Sequence, residues 1–424
     1  MGALRQGGGA AVNAAEWIAS RLPELLEEHG VVGAQLAVLA DGEIIDAAAG
    51  VLDAGTRAPV TTESLFQIAS ITKVWTATLV QELVNEGRLD LDAPVRDVLP
   101  GFRPVITPRQ LLTHTSGLDG DLFHDTGSGD DAVEKFVARL ADAAQIAPPG
   151  ELWSYCNSGF TVLGRIVEVL RGKPFNAVLE ERLAAPLRLT VATTYAERTA
   201  SHAVGHEDGR PVTDPGPESD WPAGSALAMS ARDLLAFARM HLATPTFAVM
   251  REPQVLLPDF GNRASWGLGW ELPDYSGGPV IGHHGANRGL ASFLRVAPER
   301  GIAVALLTNG GAAREVFDHV IENVFSELAG VRRPEPPTPP DAPEPVNERF
   351  LGSYRCAGHE VVVTQADHGR VRVDLDGEER EFVALRDDAV IALERPHTVL
   401  VLMGDLVHFG RAAARIWEPP GGET

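Results

Sequence analysis

The sequence predicts two units: a mixed α/β domain over residues 1–333 and a small all-β, barrel-like domain over residues 346–424, joined by a proline-rich linker at 334–345. Three observations predict this. Helix-spaced apolar residues and strand-like apolar runs share the chain as far as about residue 328. Then Pro334, Pro336, Pro337, Pro339, Pro340, Pro343 and Pro345 make a stiff, extended connector of polyproline type. Beyond it the pattern changes to short alternating runs separated by turn residues, which is how an all-β sandwich or barrel reads.

In order along the chain, residues 14–29 place Trp17, Ile18, Leu22, Leu25 and Leu26 at helical spacing and end at Gly30. Two apolar runs follow, 34–40 and 43–47, and Asp41-Gly42 between them signals a hairpin. A helix containing Ser70 and Lys73 stops near Asn85-Glu86-Gly87. Leu111 to Leu118 ends a short helix and opens a polar loop, Asp119 to Asp131. Helices are expected from Ala132 to Ala144 and, after Trp153-Ser154-Tyr155-Cys156-Asn157, from Phe160 to Leu170. His202 to Trp221 reads as a long loop, and Ser230 as the N-cap of the helix after it. Strands are expected at 280–285, 292–296 and 302–307, then a helix from Ala313 to Leu328 packed on that sheet. Expected strands of the last unit are Glu360 to Thr364, Val371 to Leu375, Phe382 to Leu385, Val399 to Leu402 and Val407 to Phe409. No internal repeat is present.

Composition narrows the function class. The net charge is −22 over 424 residues, which argues against nucleic acid or an anionic membrane surface as partner. No run approaches the ~18 apolar residues that span a bilayer, and residues 1–9 lack the apolar core of a signal peptide. The expected location is cytoplasmic. Cys156 and Cys356, the only cysteines, are expected as two free thiols.

Chemistry concentrates in three places. Ser70-Ile71-Thr72-Lys73 puts a serine and a lysine one turn apart on one helix face, where a buried amine could take the serine proton. Lysine is scarce: Lys73, Lys135 and Lys173 are the only three, and no other has a serine three residues before it. An amine where arginine is the default cation suggests a need to deprotonate. Second, Tyr155-Cys156-Asn157 offers a phenol that could relay that proton and an amide able to donate and accept. Cys156 is read as filling space beside Tyr155. Third, in His283-His284-Gly285 the two histidines point to opposite faces of a strand, so at most one faces a given pocket; the alternative is a surface pair at a strand edge. Gly285 would let a substrate approach the backbone, with the N–H groups of Ala286 and Ser70 as an oxyanion hole. His202 and His206 read as solvated loop histidines. Gly-x-Ser-x-Gly, His-Glu-x-x-His, Walker-type and Gly-x-Gly-x-x-Gly patterns are absent; no cofactor and no metal is expected.

Taken together, the three motifs in this order resemble the serine β-lactamase and penicillin-binding-protein superfamily, in its class C-like branch of carboxylesterases, D-aminopeptidases, amidases and transacylases. The segments Leu111-Leu112-Thr113-His114-Thr115-Ser116-Gly117-Leu118 and Trp266-Gly267-Leu268-Gly269-Trp270 are also similar to family segments, and the resemblance runs from about Val32 to Asn309. It implies an α/β sandwich of β-lactamase/DD-peptidase type: an antiparallel sheet flanked by helices, with a helical region beside it and the site between. The C-terminal all-β barrel-like unit resembles an appendage of some peptidase and amidase relatives.

By this resemblance Ser70 is the nucleophile, Lys73 its base and Tyr155 the acid/base partner. Asn157 orients Lys73 or the substrate, and His283 stands where β-lactamases and peptidoglycan carboxypeptidases usually carry lysine. That departure, with the missing leader, ranks an esterase-like serine hydrolase, or a transacylase passing the acyl group to an amine or alcohol, above a carboxypeptidase, a β-lactamase or a silent binding homologue. The implied substrate is a small ester or amide.

Overall fold

The computed structural model describes residues 10–122, 124–194, 197, 201–212 and 223–416. Residues 1–9, where a leader was sought, residues 213–222 of the expected long loop and residues 417–424 lie outside the described residues. The first strands are β1 (Gly33–Ala40) and β2 (Glu43–Gly50), joined by Asp41 (φ 53°) and Gly42 (φ 79°). Both turn residues in the left-handed region make the tight hairpin turn that matches strand twist. Two small pairs follow: β3 (Phe66–Gln67) with β6 (Ala228–Met229), and β4 (His206–Glu207) with β5 (Arg210–Pro211). Next come β7 (Val255–Leu256), β8 (Ala264–Trp266), β9 (Glu271–Pro273), β10 (Ile281–Asn287), β11 (Leu290–Ala297) and β12 (Ile302–Thr308). They complete an eight-stranded sheet in the order β2-β1-β12-β11-β10-β9-β8-β7, with antiparallel neighbours.

This sheet is covered on both faces, which is why its central strands are apolar at successive positions. Ala37, Leu39, Leu294, Val296, Ala303, Ala305 and Leu307 share one core with helices α2 (Thr72–Asn85), α5 (Asn157–Arg171) and α8 (Ala231–Ala243). The alternate residues Leu36, Val38, Phe293, Val304 and Leu306 share the other with α1 (Ala10–Glu28) and α9 (Ala313–Val320). Shorter helices are α3 (Pro108–Leu112), α4 (Ala132–Arg139), α6 (Phe175–Leu179), α7 (Ala185–Leu187) and α10 (Ser326–Ala329). After Ala329 no helix or strand of the sheet follows, and strands β13 (Gly352–Cys356), β14 (His359–Gln365), β15 (Val371–Leu375), β16 (Glu378–Arg386), β17 (Ala389–Ala392), β18 (Val399–Met403), β19 (Leu406–His408) and β20 (Ala412–Ile416) close into a barrel around Phe350, Tyr354, Val361, Val390 and Leu400. The expected α/β sandwich with a small C-terminal barrel is therefore the observed fold. No described helix is long and apolar enough to cross a membrane.

Several local expectations need correction. The helix expected to reach Ala144 stops at Arg139, because the backbone beyond it is used elsewhere: the Ala144 carbonyl accepts from Asp119 N and Ile146 N donates to Gly117 O. The last helix is interrupted by a π-turn at Ile321–Phe325. His206 is not solvated. It is buried, its Nε2 accepting from Ala54 N at 3.0 Å while Nδ1 lies 3.0 Å from the Asn309 carbonyl.

A buried glutamine ties the sandwich together. Gln35 on β1 donates from Nε2 to the carbonyls of Thr61 (2.5 Å) and Ser64 (2.9 Å), and its Oε1 accepts from Ala231 N at the start of α8 (2.8 Å). Gln35→Leu would strand two buried polar groups and a part-buried carbonyl, so a loss of about 2–3 kcal/mol is expected, measured as a lower urea midpoint at unchanged slope.

Candidate active site

Ser70 sits in a single 3-10 turn, Ala69–Ile71, that runs directly into α2. Ala69 has φ 45°, a left-handed conformation that costs a residue with a Cβ about 1–3 kcal/mol and persists where surroundings over-determine it. The surroundings here are a ladder of bonds to the segment 223–229. Ile68 N donates to Leu227 O (2.8 Å), Gln67 Nε2 to Ser225 O (2.9 Å), and Thr76 Oγ to Ala223 O (2.5 Å); Thr72 Oγ accepts from Leu227 N (3.3 Å). From the sheet, Ser292 Oγ donates to Ile68 O at 2.7 Å.

Held this way, the serine and lysine meet. Lys73 is fully buried, with Nζ 3.2 Å from Ser70 Oγ and 3.0 Å from the Gly224 carbonyl. Its Nζ lies over two rings, 5.2 Å from the centre of Tyr155 and 5.7 Å from that of Phe160. The Tyr155 phenol bonds the Ser70 side chain; burial pushes its pKa above the ordinary value, opposed by that bond and by the Arg411 charge. Ser70, Lys73 and Tyr155 thus form one cluster.

Asn157 begins α5 and is turned toward a residue the sequence had not singled out. Its Nδ2 donates to Asp121 Oδ1 at 2.8 Å, and its backbone N to the same oxygen at 3.3 Å. Cys156 caps the helix: Sγ accepts from Gly159 N and donates to Gly120 O, both at 3.3 Å. Burial pushes this thiol up to about 12, so it is a space-filling cap rather than a nucleophile. Cys356 is likewise free and buried.

The two histidines of β10 part as a strand requires. His284 is exposed and pairs with Glu271. His283 is buried, pairs in register with Leu294, and faces the Ser70 side of the sheet, which excludes a surface pair. Its Nδ1 lies 2.6 Å from the His284 carbonyl, so Nδ1 carries the hydrogen and Nε2 a lone pair. Burial brings its pKa down to about 3, against an upward pull from Glu271, and the ring is neutral at pH 7. Gly285 has no room for a side chain: a Cβ would lie 2.3 Å from Ile68 O, 2.6 Å from Ser292 Oγ and 2.9 Å from Ser70 N. Ala286 follows on the exposed side of β10.

Sequence reasoning missed four positions. His114, at φ 56°, accepts from Cys156 N through Nδ1 (3.0 Å), and its ring lies 4.3 Å from that of Tyr155. The Gly224 carbonyl, Asp121 and Arg411 are the others. His114 lay inside a quoted segment; the rest carry no local signal. Among the described residues the grouping with metal-ligand spacing is Glu28 and His29 at the end of α1 with His319 of α9, across the sheet from Ser70.

A buried lysine beside a serine, a phenol bonded to that serine and a closely packed glycine of β10 meet at one place. The β-lactamase family model matches residues 18–326, and the chain belongs to that family. Penicillin-binding protein 4 of Amycolatopsis lactamdurans is 42% identical over 369 residues, 80% of this chain and 97% of that one. Two hydrolases are also similar. Esterase EstB of Burkholderia gladioli is 34% identical over 44% of this chain and 53% of its own, and a D-aminopeptidase of Cereibacter sphaeroides 28% identical over 69% and 59%. Among solved structures, SurE superposes with a TM-score of 0.83 at 29% identity over 96% of this chain and 100% of that one; its complex with D-Leu gives 0.78 over 95% and 99%.

Two outcomes are expected. Gly285→Ala should lower kcat/KM at least tenfold in steady-state assays, because the clash falls on the backbone that positions Ser70. Acidification should lower stability before the carboxylates titrate. The unfolded chain protonates His241, His283 and His408 near 6.5, whereas burial brings the folded values to about 3, 3 and 4. The unfolded state therefore binds more protons between these limits, and stability falls with falling pH across that window. Tm measured from pH 7 to 4.5 should decline; a flat profile would contradict these assignments.

Proposed function

We propose that the chain is a serine hydrolase that cleaves a small ester or amide through an acyl-enzyme on Ser70. The observation that carries this is the 3.2 Å approach of a fully buried Lys73 amine to the Ser70 hydroxyl. Lys73, in its neutral form, takes the hydroxyl proton as Oγ bonds the substrate carbonyl carbon. The N–H groups of Ser70 and Ala286 stabilise the oxyanion. As the tetrahedral intermediate collapses, Tyr155 passes a proton to the departing alcohol or amine. Water then attacks the acyl carbon, gives its proton to the same pair, and Ser70 leaves as the hydroxyl.

His283 narrows the substrate. A neutral imidazole with an unprotonated Nε2 accepts a hydrogen bond and supplies no fixed charge for a carboxylate. An acyl donor offering an N–H or O–H there fits better than a free acid. The relatives support a D-configured residue at the reacting carbonyl: SurE was solved with D-Leu, and a curated relative is a D-aminopeptidase. A second reading, transfer of the acyl group to an amine or alcohol, is favoured by the contacts of Tyr155 with residues 410 and 411, which would limit the approach of water to an acyl group on Ser70.

The test is a panel of p-nitrophenyl esters and D- and L-aminoacyl esters and amides, run with and without a primary amine. Turnover that survives Ser70→Ala would overturn the acyl-enzyme. Equal rates for D- and L-donors would remove the stereochemical part, and product formed only in the presence of amine would select transfer over hydrolysis.

A further inference from the structure

The C-terminal barrel does more than flank the site. Its β19–β20 turn lies along residues 153–155 and bonds each of them. His408 Nδ1 accepts from Gly410 N (3.1 Å), so its Nε2 carries the hydrogen and donates to Trp153 O (2.7 Å). Ala412 N donates to Ser154 Oγ (3.1 Å), and Tyr155 N donates to Gly410 O (3.1 Å). Three consecutive residues, ending in the phenol that bonds Ser70, are thus fixed from the other domain. A fourth bond, Ala357 N to Asp119 Oδ1 (2.7 Å), locks the loop that carries Asp121.

Arg411 stands at the tip of this turn. Its Nε donates to Asp121 Oδ2, and its guanidinium carbon is 5.3 Å from the centre of the Tyr155 ring. The Asp121 side chain is 2% exposed. A carboxylate that far from water needs a paired cation, since removing the partner leaves an uncompensated charge. The other Asp121 oxygen accepts from Asn157 Nδ2. A carboxylate accepts only, so it decides which end of the Asn157 amide turns toward it, and Oδ1 becomes the end presented elsewhere.

We infer that Arg411 is a positioning residue for the reaction: through Asp121 it sets the amide orientation of Asn157, and with the Gly410 carbonyl it sets Tyr155, so that the barrel is part of the catalytic machinery. The inference rests on the Ser70 acyl-enzyme reading. No atom of Arg411 is required to touch the reacting carbonyl. Its charge also bears on proton transfer, since it favours the ionised form of Tyr155.

The test uses the full chain and four proteins: wild type, Arg411→Ala, Asn157→Ala and the double variant. Each is followed by Tm, by labelling of Ser70 with a fluorophosphonate probe, and by kcat and KM across pH. Arg411→Ala is expected to lower kcat at least tenfold with KM within about threefold, and to move the alkaline limb of the pH–rate profile upward. The double variant should fall well short of the product of the two single losses, because both changes break the shared Asp121 relay. If Arg411→Ala does not fold, Arg411→Lys replaces it in the cycle, keeping the charge and losing the planar fork. A variant that keeps half or more of the wild-type kcat overturns the inference, as do losses that multiply in the double variant. Wild type that is not labelled at Ser70 overturns the acyl-enzyme reading itself, a separate outcome.

Discussion

A primary amine held out of water beside a serine hydroxyl is the arrangement on which the rest depends. Lys73 has no exposed surface, and its contacts include the Ser70 hydroxyl, the Gly224 carbonyl and the faces of Tyr155 and Phe160. Burying such a group is costly unless its partners are fixed in advance. Much of the surrounding structure fixes them. Segment 223–229 is laced to the start of α2, Ser292 anchors the Ile68 carbonyl from the sheet, and Ala69 is held in a left-handed conformation between the two. Strand β10 and the helix start must approach closely, and Gly285 is the residue that allows it.

The same logic extends outward. Tyr155 must stay bonded to Ser70 while lying at the end of an irregular segment, so its backbone is held on two sides. His114 takes the N–H of Cys156, and the barrel turn takes the N–H of Tyr155. Trp266 closes the cluster edge-on to His114, Tyr155 and His283, with its own Nε1 bonded to Leu112 O at 3.1 Å. Aromatic packing excludes water here, while the hydrogen bonds set angles. His283 then adds a neutral acceptor where a lysine would have added charge, which shifts the expected chemistry from carboxylate recognition toward neutral acyl donors.

Much was legible in the sequence because its physical signals are local. A serine and lysine three apart share a helix face whatever surrounds them. Asp41-Gly42 turns a hairpin by its own backbone preference, successive strand residues alternate faces, and a run of prolines cannot join a sheet. Those facts gave the two units, the three motifs and the opposite facing of His283 and His284, while the choice of His283 came from the family resemblance. Strands β13, β17 and β20 were not legible: β20 is mostly alanine and β13 mixes glycine with charge, so neither alternates clearly, and only barrel closure makes them strands.

What the tertiary structure alone decided is which distant groups surround the Ser70–Lys73 pair. The Gly224 carbonyl approaches Lys73 across 151 residues of chain, Asp121 reaches Asn157 across 36, and Arg411 reaches Asp121 across 290. No residue type or spacing announces such contacts, because a carbonyl is present at every position and an arginine in a turn is ordinarily solvated. The sequence by itself put Ser70 and Lys73 one turn apart on a shared face. The fold decided the buried setting for that amine and joined the second domain to it, since burial and counter-charge are properties of the packed chain and not of any segment.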